Sequence, residues 1–476
     1  MNAKNYDYDL LIIGGGSAGI VAGNVAGAVG ARVALVEKNR IGGECLWTGC
    51  VPSKALLHAA DVAHTIKHAA SHGFADIALP RESCAGAFDY VRAKIEETRN
   101  NDATEKMLSD YGVHIFRGDP RFRDAHTVTT PGGDIKAAHI LLAMGSRPAV
   151  PEIPGLADAG FLTNTTLFDL AVVPESVGVI GGGYIACEMG QSLARLGACV
   201  AIFERGERLL KRDDAEVVAV LTGALEADGV RVHANAKIVC VERDGDKRVV
   251  VLADGSRHAF AELLVTTGRV ANTDTLDLHD IGVDLGANGA VLVDDYGKTS
   301  ADHVYACGDV TGTNLFSHMA EAEAKAVVRN ILLPGAGKVP RSLVPYAIFT
   351  SPEIARVGLT EDEAREKHGD GVTVLRHFFR QDDRAIAENQ TAGLVKVVTV
   401  GTLGRIVGAS IVGQRAGELI HEWVMAMHHN LPITAIADLV HTYPTLNVTN
   451  QRAAQKWYSG VMAQPIVTGA LNLLGY

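Results

Sequence analysis

The strongest constraint on the fold is a unit of about thirty residues that the chain carries twice. The two copies are YDLLIIGGGSAGIVAGNVAGAVGARVALVEK and SVGVIGGGYIACEMGQSLARLGACVAIFER. Each opens on an apolar run typical of a buried parallel strand and turns through three glycines. Each then continues as an Ala/Gly-rich helix and returns as a second apolar strand. The copies end on Glu37 and Glu204, which lie equally far from the first glycine of their unit.

This spacing predicts two dinucleotide-binding sites. The first glycine makes the tight turn, the second lets the backbone approach a diphosphate, and the third position stays small so that helix packs on strand. The positions are Gly14, Gly16 and Gly19 in the first copy and Gly181, Gly183 and Ala186 in the second. The diphosphate lies on the helix N-terminus, and Glu37 or Glu204 accepts from ribose hydroxyls. Glycine-rich turns without a ligand are the alternative, and the repetition argues against it.

Length and charge narrow the class of protein. At 476 residues the chain is long enough for about three domains. A formal charge of -11 opposes a phosphate backbone, so nucleic acid is not an expected partner. No apolar run is long enough to span a bilayer, and MNAKNYDYDL shows no signal core, so we expect a cytoplasmic protein without membrane partners.

The stretch GECLWTGCVPSK, just after the first unit, carries the chemistry. Cys45 and Cys50 are separated by four residues, and the helix predicted from PSKALLHAADVAHTIKHAA places Cys50 beside a helix N-terminus. The helix dipole stabilises a thiolate there, and two thiols in one loop can carry two electrons as a dithiol. A metal site is the competing interpretation, but no second Cys/His pair has ligand spacing, so we expect no resident metal. Two idle buried thiols are the remaining alternative.

These motifs resemble the pyridine nucleotide-disulfide oxidoreductase family, which includes dihydrolipoamide dehydrogenase, glutathione reductase and mercuric reductase, over nearly the whole chain. The family pattern GGxCxxxxCxPSK matches Gly42 to Lys54. The resemblance implies that Cys45 is the interchange thiol that attacks substrate and that Cys50 is in charge-transfer contact with the flavin. It also implies that Lys54 lies by the flavin ring and pairs with Glu188, on the helix of the second glycine unit.

Further segments resemble family motifs in the family's order. LLAMGSRP and LVTTGRVANT, which contain Gly145 and Gly268, resemble the two segments that cross between domains, although Met144 stands where Thr is usual. TSADHVYACGDVTG resembles the second flavin motif, which implies that Asp309 bonds the ribityl chain. Tyr184 matches the tyrosine that covers the flavin until nicotinamide displaces it. The resemblance therefore implies FAD and a nicotinamide dinucleotide as cofactors.

The resemblance also implies a domain organisation. We expect an α/β protein with two Rossmann-like dinucleotide-binding domains and an α+β C-terminal dimerisation domain. The FAD domain is expected at residues 1–150 and 272–344, with the NAD(P) domain inserted at 151–271 and the interface domain at 345–476. Family members are usually homodimers whose active site borrows residues from the partner's C-terminal domain, so we expect a homodimer with a shared active site.

Glu204 favours NADH as the electron donor. A carboxylate at the end of the second strand accepts from the 2′-hydroxyl of NADH and repels the extra phosphate of NADPH. Arg205, Arg208 and Lys211 follow closely and could offset that repulsion. NADPH is therefore the alternative.

The acid–base pair of the disulfide-reducing members is missing. Those members carry a His immediately before a Pro and a Glu five positions later, and the His exchanges protons because its pKa lies near working pH. In the matching stretch HTYPTLNVTNQ, Tyr443 precedes Pro444 and Val448 stands at the Glu position. Tyr, with a pKa of about 10, is a poor proton acceptor at neutral pH. His441, two residues upstream, is the candidate substitute.

We therefore expect NAD(P)H to reduce FAD, FAD to reduce the Cys45–Cys50 disulfide, and the dithiol to reduce a small-molecule acceptor. A small disulfide is the leading acceptor because the thiol pair is intact. A metal ion or a quinone is the alternative, since mercuric reductase also has Tyr near this point and a soft metal ion bound by thiolates needs no proton shuttle. The final segment VTGALNLLGY lacks that enzyme's cysteine pair, which argues against mercury. A flavin-bound redox sensor is the hypothesis from another class.

Overall fold

A computed structural model describes residues 5–101, 104–333 and 337–462. The chain divides into two compact units. The first is built from the residues up to Leu56, from Ala85–Val172 and from Leu264–Arg341. The second is built from Leu57–Cys84, from Val173–Leu263 and from the residues after Arg341.

Strands in the described residues are, in chain order, β1 (Tyr8–Ile13), β2 (Val33–Glu37), β3 (Val113–Arg117), β4 (Arg121–Asp124), β5 (Thr127–Thr130), β6 (Gly133–Leu142), β7 (Ser146–Pro148), β8 (Ser176–Ile180), β9 (Cys199–Phe203), β10 (Arg231–His233), β11 (Ile238–Asp244), β12 (Lys247–Leu252), β13 (Arg257–Phe260), β14 (Glu262–Val265), β15 (Arg269–Ala271), β16 (Val304–Ala306), β17 (Tyr346–Ile348), β18 (Glu353–Gly358), β19 (Val372–Phe378), β20 (Leu394–Val400) and β21 (Arg405–Gly413).

The α-helices of the same residues are α1 (Ser17–Ala28), α2 (Gly43–Trp47), α3 (Cys50–Lys67), α4 (Ala87–Asn101), α5 (Thr104–Asp110), α6 (Leu156–Ala159), α7 (Tyr184–Arg195), α8 (Ala215–Ala227), α9 (Ser317–Leu332), α10 (Glu361–His368), α11 (Asp383–Ala387), α12 (Ala416–Leu419), α13 (His421–His428), α14 (Ile433–Ala437) and α15 (Val448–Met462).

The first unit is organised around one sheet with strand order β3-β2-β1-β6-β5-β4, in which β16 also pairs with β6. Strands β3, β2, β1, β6 and β16 pair in parallel, whereas β5 runs antiparallel to β4 and β6. Side chains alternate across the sheet, so β1 places Leu10 and Ile12 in one buried cluster and Leu11 and Ile13 in the other. The sequence prediction of a strand buried on both faces is confirmed.

The first glycine unit folds as strand, turn, helix and strand, as the sequence predicted. Gly14 has φ 109°, a left-handed conformation that only glycine adopts without strain. A Cβ on Gly19 would collide with the Gly14 carbonyl, so α1 packs onto the turn at backbone distance. The turn therefore opens directly onto the N-terminus of α1.

The second unit contains the second glycine unit, in which β8, β9 and β10 pair in parallel and α7 follows the turn. Its remaining sheets are β11-β12-β13 and a five-stranded sheet of order β17-β18-β21-β20-β19 whose neighbouring strands are antiparallel. The five-stranded sheet is covered by helices that bury Trp423 completely, and its Nε1–H donates to Asn450 Oδ1 at 2.8 Å. The predicted α/β class, with an α+β region at the end of the chain, is confirmed.

Histidines gather beside the sheet of the first unit. The His126 and His303 rings lie 4.1 Å apart between centroids, and the His139 ring lies edge-on to Tyr305 at 6.2 Å. Burial lowers the pKa of His139, and the charges of His303 and His126 lower it further. Burial also lowers the pKa of His303, against a backbone hydrogen bond that raises it. Protonation of His139 and His303 therefore opposes folding.

Stability is expected to fall as the pH drops below about 6.5, the pKa of an unfolded histidine. Because the folded pKa values of His139 and His303 are lower, the unfolded chain takes up protons first and acidification favours it. Urea unfolding measures the free energy of unfolding at pH 7.5 and at pH 5.5. The difference between the two values should be smaller in His139→Gln and in His303→Gln than in the wild type. His279→Gln is the matched control, since that side chain is 97% exposed. An unchanged pH dependence in both cluster variants would contradict the assignment.

Candidate active site

Two consecutive glycines shape the loop that carries the cysteines. Gly42 and Gly43 have φ values of 107° and 57°, and α2 and α3 follow within a few residues. A Cβ on Gly43 would lie 2.7 Å from the Cα of Gly16, so this loop presses against the first glycine turn. Cys45 lies on α2 and Cys50 is the first residue of α3. The loop thus brings a helix start to the mouth of the predicted FAD site.

Cys45 and Cys50 lie within hydrogen-bonding distance of one another and are not joined by a disulfide. The hydrogen bond to Cys50 raises the pKa of Cys45 most strongly, followed by burial and the charge of Cys50. Hydroxyl groups of Ser317 and Ser17 act in the opposite direction. The contact with Cys50 therefore favours the protonated form of Cys45.

The first glycine turn has the chemistry that the diphosphate and ribose of FAD require. Helix α1 starts after Gly16 with no side-chain cap and no acid in its first turn, which leaves its N-terminus to an anion. Glu37 is 9% exposed and accepts from the Gly15 and Asn39 N–H groups, each at 2.7 Å. These bonds fix the carboxylate, whose further lone pairs can accept from ribose hydroxyls.

The second glycine turn fits a nicotinamide dinucleotide in the same way. Helix α7 starts at Tyr184 after Gly183, again with no side-chain cap. In contrast, Asp214 caps the N-terminus of α8, and a capping box stands at the N-terminus of α10. A Cβ on Gly183 would meet no atom within 4 Å, which is space beside a helix N-terminus. Glu204 accepts from the Gly206 N–H at 2.5 Å and lies at the end of β9.

A half-buried charged cluster near the cysteine loop was not predicted from the sequence. Arg269 is 11% exposed, forms an ion pair with Glu44, and donates from Nε to Ser146 Oγ at 2.6 Å. Ser146 in turn donates to Asp309 Oδ2 at 2.7 Å. Burial raises the pKa of Glu44, the charge of Arg269 opposes this, and Asp309 adds to it. All these residues lie inside the motifs quoted in the sequence analysis, and that shared location was the feature of the sequence that could have indicated the cluster.

Backbone geometry supports the cluster. Gly145 and Gly268 have φ values of 67° and 138° and flank β7 and β15, which pair with one another. Asp309 lies in the 3₁₀ turn Gly308–Thr311, and the Gly308 N–H donates to the buried carboxylate of Glu323 at 2.9 Å. Asp309 is therefore held beside the predicted flavin site both through its side chain and through its turn.

The predicted flavin-side pair is placed on two helices. Lys54 lies one turn into α3. Glu188 lies on α7, is 3% exposed, and accepts from the Phe349 N–H at 2.9 Å. The pairing of Lys54 with Glu188 stays a prediction.

Neither candidate at the missing acid–base position offers a free base. The His441 side chain is 3% exposed, its Nε2 lies 2.9 Å from Glu422 Oε1, and its Nδ1 lies 3.0 Å from the Leu439 carbonyl oxygen. Both partners only accept hydrogen bonds, so both ring nitrogens are directed at acceptors within the second unit. Tyr443 is 64% exposed, and its hydroxyl donates to Asp383 Oδ2 at 2.6 Å, which raises the pKa of Tyr443. Val448 is buried at the start of α15.

Comparison with known proteins shows the family. Residues 8–326 match the family described as pyridine nucleotide-disulphide oxidoreductase, and residues 344–454 match the dimerisation domain of that family. A mercuric reductase of Bacillus cereus is 36% identical over 93% of this chain and 70% of its own length. A glutathione reductase of Burkholderia cepacia is 33% identical over 93% of this chain and 97% of its own length.

A solved structure extends the likeness to three dimensions. The Cu(II) complex of the HOCl-induced flavoprotein disulfide reductase RclA from Escherichia coli superposes with a TM-score of 0.84. It is 28% identical and covers 94% of this chain and 99% of that one.

The chain belongs to the pyridine nucleotide-disulfide oxidoreductase family, as the sequence motifs indicated. It is an FAD-dependent oxidoreductase of a family whose members use FAD and NAD(P)H. The matched dimerisation domain supports a homodimer. Within the described ranges, no helix combines the length and apolar character that crossing a membrane requires.

We predict that NADH is the better donor and that Glu204→Gln reverses or erases the preference. The neutral amide loses a charged acceptor for the 2′-hydroxyl and no longer repels a 2′-phosphate. The ratio of kcat/KM for NADH to that for NADPH should fall about tenfold or more. Glu207→Gln is the control, because that exposed residue lies three positions further on. A wild-type preference for NADPH, or an unchanged ratio in Glu204→Gln, would show that another group selects the donor.

Proposed function

We propose that this protein transfers two electrons from NAD(P)H through FAD and the Cys45–Cys50 pair to a thiophilic metal ion. In this proposal residues 1–150 and 272–344 hold FAD, 151–271 hold the nicotinamide dinucleotide, and 345–476 form the dimer interface. The observation that carries the choice of acceptor is the absence of a usable base at Tyr443 and His441.

The residues of the chain have separate tasks in this route. When bound, FAD accepts two electrons from the nicotinamide and passes them on. The N-termini of α1 and α7 bind the two diphosphates, while Glu37 and Glu204 orient the riboses. By motif position, Gly145, Gly268 and Asp309 are assigned to FAD binding, Tyr184 to covering the flavin, and Lys54 and Glu188 to the flavin-side pair. These assignments follow from the motif positions and from the helix starts described above.

The two sulfurs divide the remaining work. We assign Cys50 as the sulfur that faces the ring, and its contact with Cys45 favours the protonated form of Cys45. Cys45 is the outer thiol that meets the acceptor. Binding of a soft ion between the sulfurs displaces the Cys45 proton, and soft thiolates are the preferred ligands of such ions.

The two classes of acceptor differ in whether their reduction takes up or releases a proton. Reduction of a disulfide, NADH + H⁺ + RSSR → NAD⁺ + 2 RSH, consumes a proton and needs an acid to protonate the leaving thiolate. Reduction of mercuric ion, NADH + Hg²⁺ → NAD⁺ + Hg⁰ + H⁺, releases a proton. Reduction of two Cu²⁺ ions to Cu⁺ by NADH also releases one proton. The metal reaction therefore needs no proton donor, and a site without His at position 443 suits it. The relatives named mercuric reductase and the RclA complex with Cu(II) support the same class.

A small disulfide is the second candidate. The intact dithiol, with its helix-terminal sulfur, is the feature that favours it, and the neighbour described as a flavoprotein disulfide reductase agrees with it. Without His441 as a base, disulfide exchange would depend on water for its proton and should be slow.

The acceptor is tested by proton stoichiometry in weakly buffered solution without added thiol. Holoenzyme and NADH are mixed with HgCl₂, CuSO₄ or glutathione disulfide, while a pH indicator and the NADH absorbance are followed together. We expect one proton released per NADH with a metal ion, and turnover with glutathione disulfide at least about tenfold slower. Cys45→Ala is the control that should abolish acceptor reduction. Faster turnover with the disulfide, with proton uptake, would overturn the metal assignment, and failure of every acceptor would favour a redox sensor.

Restoring the family's base should help the disulfide reaction alone. We expect Tyr443→His combined with Val448→Glu to raise glutathione disulfide turnover about tenfold or more, because a positioned acid–base group contributes about 10²–10⁴-fold in rate. Tyr443→His alone is the matched comparison without the orienting carboxylate. Turnover with HgCl₂ should not increase. Equal gains with both acceptors would show that proton transfer does not distinguish them.

A further inference from the structure

Helix α2, which carries Cys45, is too short to hold itself in place. It has five residues, and isolated helices shorter than about 12–15 residues are marginal in water. No side chain caps its N-terminus at Gly42, and the bond from Trp47 Nε1–H to the Ile41 carbonyl, at 2.9 Å, lies within the same loop. The direction of α2, and with it the position of Cys45, therefore depends on contacts from other segments.

The N-terminal end of α2 is held by Arg269. The guanidinium of Arg269 is 11% exposed and forms an ion pair with Glu44, in the first turn of α2. Two further bonds fix the direction of this guanidinium, because Nε donates to Ser146 Oγ at 2.6 Å and Nη2 donates to the Ser146 carbonyl at 3.0 Å. Ser146 is itself buried. Arg269 thus meets Glu44 from a fixed position.

The C-terminal end of α2 is held by Asn164. Its Nδ2 donates at 3.2 Å to the carbonyl of Thr48, the residue that ends α2. The same side chain acts on Glu44 as a hydrogen-bond donor and opposes the rise that burial gives to the pKa of Glu44. Asn164 lies in a turn that is closed by a hydrogen bond of 3.1 Å from the Thr163 N–H to Thr166 Oγ1. It is therefore presented to α2 from an ordered turn.

Both holding side chains are carried by neighbouring backbone. Leu162 pairs with Leu264 in a parallel bridge, and the Val265 N–H donates to the Leu162 carbonyl at 2.8 Å. Asn164 follows Leu162 by two residues, and Arg269 follows Val265 by four. One backbone support thus carries the contacts to both ends of α2.

These contacts flank Cys45 without using its sulfur. Glu44 precedes Cys45 by one residue, and Thr48 follows it by three. Cys50 lies beyond Thr48 and begins the longer helix α3. Loss of the contacts would therefore free Cys45 more than Cys50. Such freedom matters, because a displacement of about 1 Å at a reacting group is enough to slow a reaction about 10²-fold.

We propose that Arg269 and Asn164 are positioning residues that clamp the two ends of α2. The clamp keeps Cys45 within reach of Cys50, so little freedom is lost when the two sulfurs close to a disulfide. Without the clamp, α2 gains freedom in the dithiol form alone, which favours the dithiol. The proposal rests on the proposed route of electrons through the sulfur pair, and it does not depend on which acceptor the enzyme reduces.

The test measures the equilibrium between the dithiol and the disulfide. Holoenzyme is equilibrated anaerobically at pH 7.5 with mixtures of oxidised and reduced dithiothreitol. Closing the Cys45–Cys50 bond passes two electrons and two protons to one oxidised dithiothreitol, which becomes the dithiol. The remaining thiols are then alkylated, and the disulfide fraction is read by peptide mass spectrometry.

Two variants remove one end of the clamp each and leave the charge of the site unchanged. Asn164→Ala loses the donor to Thr48, and Arg269→Lys keeps the positive charge but loses the planar fork that reaches both Glu44 and Ser146. Each should lower the equilibrium constant for disulfide formation about fivefold, as expected for one lost hydrogen bond. Arg117→Lys is the matched control, since Arg117 forms an exposed ion pair with Glu105, and it should leave the constant unchanged.

A second measurement separates positioning from a general loss of stability. The reduction of FAD by NADH uses neither sulfur, so its rate in rapid mixing should be unchanged in Asn164→Ala. The ratio of flavin to protein absorbance verifies that each variant retains FAD. A wild-type equilibrium constant in either variant refutes the role of that residue, and an equal change in Arg117→Lys refutes the clamp. If Cys45→Ala still reduces acceptors, the proposed electron route fails instead.

Discussion

The contact between two glycine-rich turns is the constraint on which the site depends. A Cβ on Gly43 would lie 2.7 Å from the Cα of Gly16, so no side chain fits at Gly43. That contact presses the loop carrying Cys45 and the start of α3 against the N-terminus of α1. The thiol pair and the anion-binding turn are therefore not separate modules joined by flexible chain. They are one packed structure, and the positive ends of α1, α3 and α9 face one small region.

A constraint of this kind is visible in sequence only in part. The glycine units, both strands of each unit and the acids at their ends follow from period and spacing, since each feature is local. The family resemblance then supplied the fold class, the cofactors and the dimerisation domain. The Arg269 cluster could not be predicted in this way, because Glu44, Ser146 and Arg269 are brought together from segments far apart in the chain. Each of the three was present in a quoted motif, but nothing local indicated that they meet.

His441 is a residue whose sequence position suggested a role that its contacts in the structure do not support. Its position near Pro444 made it a reasonable substitute for the missing base, and a titratable ring two residues from the expected place cannot be dismissed from sequence. The structure places its side chain against Glu422, a residue of α13, and against a carbonyl of its own loop. Asn450 Nδ2 donates to the other oxygen of Glu422 at 3.0 Å and Asn450 Oδ1 accepts from Trp423, so the ring belongs to a buried polar network. Such networks hold a loop in place, and the ring nitrogens of His441 are occupied by hydrogen bonds within this network.

The C-terminal part of α3 is held by an ion pair that lies far along the helix from Cys50. Asp61 lies three turns beyond Cys50, roughly 16 Å along the helix axis. It accepts from Arg195, whose side chain is 7% exposed and which also bonds Asp228 at 2.7 Å. Gln191, one turn before Arg195 on α7, donates to the Ser351 carbonyl and accepts from its N–H.

Within the second unit, this cluster joins the end of the helix that begins at Cys50 to the helix that carries Glu188. An arginine buried between two aspartates is costly to leave half-paired, so a change at any one member strains the rest. The charges that anchor α3 are thus kept away from the sulfurs. The helix is fixed by an ion pair toward one end, and its other end begins at Cys50.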